Sequence, residues 1–382
     1  MQPPAQNWFY ASETLKNAVQ ISLTLALFVL LLAGCKNTPQ SRADHLPDWQ
    51  SDEFVPASAA APRVTVSPPA TTFLPSDVVA NQSAETWVPF VRWCKTSGLC
   101  EPACLATAPL PTYALNTANG NLLFQAGSQV AHWDGIELRL GFAPQWIDRQ
   151  PYIHALDLRK TLEPLMAGNC HFCPRAAPVL VLDPGHGGED AGARSAVDRG
   201  WEKQFTLDWA RRLQDLLVTN GWQVFLTRTD DREIALSNRV AFAEDHNADL
   251  FLSLHFNSAG ANTTQAGLET YCVTPYGMPS TITRGYSDDP TLTFPNNAFD
   301  PQNLQLAFRL HRTLLEVNGH RDRGVRHARF LSVLRTQQRP AILIEGGYLS
   351  NPREARMIAD PAYRQKLAEA VAHGLAIESL RN

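Results

Sequence analysis

The chain has 382 residues, 44% of them hydrophobic and 18% charged. That is length for roughly two domains plus tails, with the proportions of a globular protein. A formal net charge of −4 gives no basis for nucleic-acid binding.

Residues 21–32 form an apolar stretch of signal-peptide length, too short to span a bilayer comfortably. It ends in Leu32-Ala33-Gly34-Cys35, which resembles the lipobox of bacterial lipoproteins. The resemblance implies a signal peptide over 1–34 and lipidation of Cys35. An uncleaved anchor, or ordinary cleavage beside an incidental cysteine, is the alternative. Lys36, rather than an aspartate, follows the cysteine, which by resemblance to Gram-negative sorting favours the outer membrane. The membrane would then be a partner through the lipid. Residues 35–83 are rich in Pro, Ala, Ser and Thr and are expected to be a disordered tether.

Export predicts an oxidising compartment. Besides Cys35 there are Cys94, Cys100, Cys104, Cys170, Cys173 and Cys272. The even count suits disulfides, with pairing not readable from sequence. Cys170-His171-Phe172-Cys173 is expected to be a structural disulfide or two free thiols before a redox or metal pair. Cys272 is expected to be a buried thiol.

Residues 84–170 predict a small α+β module. Asp134-Gly135 between two apolar runs marks a tight β-hairpin. Trp87-Val88-Pro89-Phe90-Val91 and Pro151-Tyr152-Ile153-His154-Ala155 look alike, and each leads into a helical pattern. The layout resembles the repeat domain at the N-terminus of copper amine oxidases and in bacterial cell-wall proteins, without copper ligands. A structural or wall-contacting role is expected, with a plain spacer as the alternative.

Residues 177–382 alternate strand and helix signals, which predicts a three-layer α/β/α domain with a mostly parallel sheet. Three apolar runs end on chemical residues: Val179-Leu180-Val181-Leu182 before Asp183-Pro184-Gly185-His186, Leu250-Phe251-Leu252-Ser253-Leu254 before His255, and Ala341-Ile342-Leu343-Ile344 before Glu345. Helices are predicted over 201–220, with Phe205, Trp209, Leu213, Leu216 and Leu217 on one face, and over 236–246, 304–318, 352–359 and 361–380. Strands are predicted over 222–227 and 268–273. Residues 274–302 have no apolar period and are expected to form a loop near the site.

In an α/β sheet, strand tips converge at one edge, where ligands bind. A catalytic zinc takes three protein ligands and leaves one position open. His186 and His255 are the candidate imidazole ligands. Glu202, at the start of the next helix, is the candidate third ligand, with Glu189 and Asp190 as alternatives. Glu345 is the candidate acid/base, although it could simply pair with Arg326 or Arg329. Arg228 and Arg239 are expected to form buried salt bridges. His246, His311, His320, His327 and His373 are left as surface or structural.

Leu182-Asp183-Pro184-Gly185-His186-Gly187-Gly188, Glu202, Leu226-Thr227-Arg228, Ser253-Leu254-His255-Phe256-Asn257 and Ile344-Glu345-Gly346-Gly347-Tyr348-Leu349-Ser350-Asn351 together resemble the zinc-dependent N-acetylmuramoyl-L-alanine amidases of the bacterial cell wall. The resemblance covers essentially all of 177–380. It implies Zn2+ on His186, Glu202 and His255, Glu345 as acid/base, and peptidoglycan as substrate. The implied cut is the amide between the lactyl group of N-acetylmuramic acid and L-alanine of the stem peptide. Phe256 departs from the small residues common at its position. The 274–302 loop is long, and in some relatives an insertion in a comparable region blocks the zinc until an activator protein displaces it. Asp288 and Asp289 would be the blocking candidates here. A catalytically silent wall-binding lipoprotein, and a zinc peptidase acting within the stem, are the competing functions.

Overall fold

The computed structural model describes residues 86–167, 172, 175–318 and 321–376. The signal stretch, Cys35, the tether, Cys170, Cys173 and His320 lie outside the described residues.

The N-terminal module contains β1 (Trp87–Pro89), helix α1 (Phe90–Thr96), β2 (Ala103–Ala106), β3 (Thr112–Thr117), β4 (Gly120–Gln125), β5 (Val130–Trp133), β6 (Ile136–Arg139), β7 (Gln145–Ile147) and β8 (Gln150–His154). The two look-alike passages are antiparallel partners, with Trp87 opposite His154 and Val88 opposite Ile153. Strands β2 to β6 form an antiparallel meander. The β5–β6 turn has Asp134 at φ 50° and Gly135 at φ 81°. Two consecutive positive φ values are what a two-residue hairpin turn of this kind requires. Phe90, Phe124, Leu115 and Trp133 fill the module's core.

The C-terminal half supplies β9 (Val179–Pro184), α2 (Glu202–Thr219), β10 (Gln223–Leu226), α3 (Leu236–Asp245), β11 (Leu250–Asn257), β12 (Leu268–Cys272), α4 (Asp300–Asn318), β13 (Asp322–His327), β14 (Ala341–Tyr348), α5 (Pro352–Ala359) and α6 (Pro361–Gly374). The strand order is β10-β9-β11-β14-β12-β13, parallel except where β12 meets β14. Residues of β9 alternate between two cores. Leu180 and Leu182 join Trp209, Leu213 and Leu367 on one face, while Val181 joins Phe251, Ala243 and Leu343 on the other. Cover on both faces explains why β9, β11 and β14 are near-continuous apolar runs. The expected three layers are therefore present.

The meander continues the same sheet. β6 pairs in parallel with β13 through Leu138 and Val325, giving eleven strands among the described residues. Glu137 N donates to Asp322 Oδ2 at 2.7 Å, and Arg312 meets Asp134 at 2.8 Å across the same junction.

Three sequence expectations change. Helix α4 begins at Asp300 rather than 304, because Asp300-Pro301 is a favourable helix opening. Helix α6 stops at Gly374, where glycine weakens the helix, rather than running to 380. Cys94, Cys100, Cys104 and Cys272 are all free thiols. Cys94 is buried in the core while Cys100 and Cys104 lie on the surface, so the expected disulfides do not form among them. Cys272 is buried, as expected.

Candidate active site

The site begins where β9 ends. Asp183 is fully buried and accepts hydrogen bonds from Thr227 Oγ1 (2.7 Å), Ser253 Oγ (2.8 Å) and Arg239 Nη1 (2.6 Å). Burial alone would raise its pKa, but Arg239 and Thr227 outweigh burial and lower it. Arg239 Nη2 also donates to His186 O at 2.9 Å. Arg228 forms no salt bridge among the described residues, contrary to expectation. Its guanidinium donates to the carbonyls of Pro184 (3.0 Å), Gly185 (2.9 Å) and Lys203 (2.8 Å). The two arginines thus tie down the backbone of the turn that presents His186.

His186 has φ 63°, a left-handed conformation uncommon outside glycine. The turn is tight because the imidazoles need the room. A Cβ on Gly185 would lie 2.2 Å from the His255 ring, and one on Gly192 would lie 2.6 Å from His186 Cδ2.

Glu202 opens α2, where the helix N-terminus favours a carboxylate. It is buried and fully engaged. Oε1 accepts from Phe256 N at 3.0 Å and meets His255 Nδ1 at 2.9 Å. Oε2 accepts from Ala193 N at 2.9 Å and lies 3.2 Å from His186 Nε2. One donor atom from each of His186, Glu202 and His255 falls within 4.8 Å of the others. Two imidazoles and a carboxylate at this spacing are a fitting donor set for zinc.

Asp190 does not join that group. Its carboxylate sits 2.8 Å from His186 Nδ1, behind the ring, which is how metal-binding histidines are commonly oriented. Glu189 is exposed. Burial would lower the His186 pKa, but Glu202 and Asp190 overcome it and raise it to about 10. Glu202 is conversely held well below the usual carboxylate range: burial opposes this, and His186 and His255 prevail.

Glu345 follows on the neighbouring strand, directly across from His255. Arg326 and Arg329 do not claim it: Arg326 lies 3.5 Å from Glu137, and Arg329 lies 2.6 Å from Asp288. Its Oε2 is buried with no hydrogen-bond partner among the described residues. Burial and then the charge of Glu202 raise its pKa to about 8, against the pull of Arg284.

The 274–302 segment is an ordered loop as far as Phe299, with a short 3-10 turn, Pro295–Phe299, and its last three residues open α4. Neither suggested blocking residue reaches the donor group. Asp288 is engaged by Arg329 and Ser280, and exposed Asp289 accepts from Thr291. The loop instead brings Arg284 inward. Its Nη2 lies 3.4 Å from Asn257 Oδ1, and its guanidinium lies 5.6 Å from the centre of the Phe330 ring. Phe256 is buried against Trp209, with ring centroids 5.4 Å apart. Sequence reasoning missed Arg284 and the buried Glu269. A lone acid inside the apolar run 268–273 was the available signal for Glu269.

The profile of the N-acetylmuramoyl-L-alanine amidase family matches residues 180–377, just over half of the chain. The chain belongs to the N-acetylmuramoyl-L-alanine amidase family. The amidase CwlM of Bacillus licheniformis is 34% identical over 200 residues, spanning 52% of this chain and 67% of CwlM. AmiA of Escherichia coli (strain K12) is 30% identical over 239 residues, spanning 56% of this chain and 82% of AmiA. A solved N-acetylmuramoyl-L-alanine amidase from Clostridium difficile 630 aligns at 32% identity and TM-score 0.44, covering 53% of this chain and 96% of that one. The protein is thus a peptidoglycan-hydrolysing amidase of α/β fold.

Proposed function

We propose that this amidase is zinc-dependent, with His186, Glu202 and His255 as ligands and Glu345 as the catalytic acid/base. Asp190 orients His186 from behind. Bound zinc would supply Lewis acidity to the water and to the amide carbonyl. Glu345 would take the proton from the attacking water and return it to the nitrogen of the leaving L-alanine as the carbon–nitrogen bond breaks. A carboxyl poised near neutrality suits both transfers. The observation that carries this reading is the three-donor group, with His186 and Glu202 buried and His255 half-buried, and Glu345 on the adjacent strand.

Because Asp288 is committed to Arg329, we infer that activity needs no partner to displace a blocking ligand. The lipobox-like run supports an outer-membrane lipid anchor at Cys35. Among the described residues, no helix is long and apolar enough to cross a membrane. Fatty-acid labelling of the wild type, absent from Cys35→Ala, tests the anchor. The 84–170 module is proposed to support the catalytic half and to face the wall.

Purified protein incubated with peptidoglycan tests the chemistry. Stem peptides with a free N-terminal L-alanine, lost with a chelator and restored by zinc, are expected. Fragments cut within the stem would instead make the protein a peptidase, and product unaffected by chelation would remove zinc from the reading.

A further inference from the structure

The ladder between β11 and β14 is irregular at the most sensitive place. Its register slips between His255 and Asn257. On β14 the slipped stretch is Gly346-Gly347, with Gly347 at φ 130°. These glycines contribute no side chain to hold Glu345 against His255. Pairing resumes with Asn257 opposite Tyr348.

Both of those side chains end on one carboxylate. Asn257 Nδ2 donates to Glu269 Oε2 at 2.7 Å, and Tyr348 OH donates to the same oxygen at 3.0 Å. Tyr271 OH adds a third bond at 3.0 Å, and Arg323 Nε donates to Oε1 at 2.9 Å. Glu269 is buried and sits on β12 directly across from Glu345. A buried charge is unfavourable unless paired and hydrogen-bonded, and replacing such a whole buried group, acid and partners together, by well-packed apolar residues is often neutral or better for stability. Four donors converging on one acid at the first rung beyond the slip suit precision better than bulk stability.

We propose that Glu269 is a positioning residue for the amidase reaction. It clamps β11 and β14 just past their irregularity and so fixes Glu345 relative to His255. The proposal rests on the roles assigned above to those two residues. It does not depend on which bond of the substrate is cut.

The test compares the full chain with Glu269→Gln and Tyr348→Phe on a soluble muropeptide. kcat, KM, zinc affinity by chelator competition, and thermal melting are measured on each. Glu269→Gln keeps the volume but turns an amide NH2 toward donor groups and loses the Arg323 ion pair. A displacement of the reacting groups by a fraction of an ångström to one ångström is expected to lower kcat by about 100-fold, with KM and zinc affinity changed by less than about twofold. Tyr348→Phe removes one of the four bonds and is expected to lower kcat by about tenfold. A kcat close to wild type overturns the proposal. So does a loss that follows the unfolded fraction or the missing zinc and disappears on cooling or adding zinc. If Glu269→Gln does not fold, Tyr348→Phe decides on the same criteria. The wild-type product tests the amidase reading separately. A cut within the stem would change the bond assignment, while the kcat ratio would still judge Glu269.

Discussion

Glu202 and Glu345 are buried carboxylates of one crevice held in opposite protonation environments. Glu202 has two imidazoles and two backbone N–H groups around it, whereas one oxygen of Glu345 has no hydrogen-bond partner among the described residues. Pairs whose environments push them apart divide the labour of binding charge and moving protons. Glu345→Gln is therefore expected to retain zinc while losing about 10²–10⁴-fold in kcat. Equal activity in a muropeptide-release assay would remove Glu345 from the chemistry. A second titration concerns stability. His327 is buried, and burial together with the nearby Arg329 charge lowers its pKa to about 4. The unfolded chain then binds the extra proton between about pH 6.5 and 4. The contribution is fully present above that window and is lost as pH falls through it, by up to about 3 kcal/mol. Replacing His327 by Gln should flatten that limb of a denaturant-midpoint versus pH curve. The three residues of the donor group and Glu345 were legible in sequence as candidates because each follows a buried strand or opens a helix. The place of Asp190 behind His186 was not legible, since a loop spacing carries no face.

At the scale of elements, the turn after β9 is held by arginines from other parts of the chain. Arg239→Met would leave Asp183 buried without its charge partner. Removing one member of a buried pair costs about 3–5 kcal/mol, so a fall of that size in unfolding free energy is expected, with zinc affinity weakened as well. A midpoint unchanged in urea would show that Asp183 is satisfied by Thr227 and Ser253 alone. The 274–302 loop gives an opposite expectation from a blocking segment. Replacing 275–301 with a short linker removes Arg284 from beside Asn257 and should leave activity the same or lower. A rise in kcat would revive autoinhibition. Helices and strands here were readable from their periodicity, but the direction of β12 was not drawn from the sequence. A parallel return needs a crossover of about a dozen residues or more, and the segment 258–267 contains no helix. That shortness was the clue to the antiparallel pairing with β14. The slip beside His255 has no such signature, because strand pairing is a property of two segments together.

Across the whole molecule, the sequence separates an aromatic-rich module from an alternating α/β half, but nothing in either segment foretells their shared sheet. The junction is long-range: the Leu138–Val325 rung, the Glu137 N–Asp322 bond and the Arg312–Asp134 pair. Cutting the module away would bare the β13 edge, and an unpaired edge invites association with other chains. A protein truncated to 177–382 is expected to melt at lower temperature and to aggregate more readily than one beginning at 84. Equal melting points would mean the module is a passenger. The unbroken sheet also bears on cooperativity. Strand β13 is backed by the catalytic strands on one side and by the meander on the other, so its amide protons should exchange with solvent only when both halves open together. A calorimetric scan of residues 84–382 should accordingly show one endotherm, with its van't Hoff and calorimetric enthalpies equal.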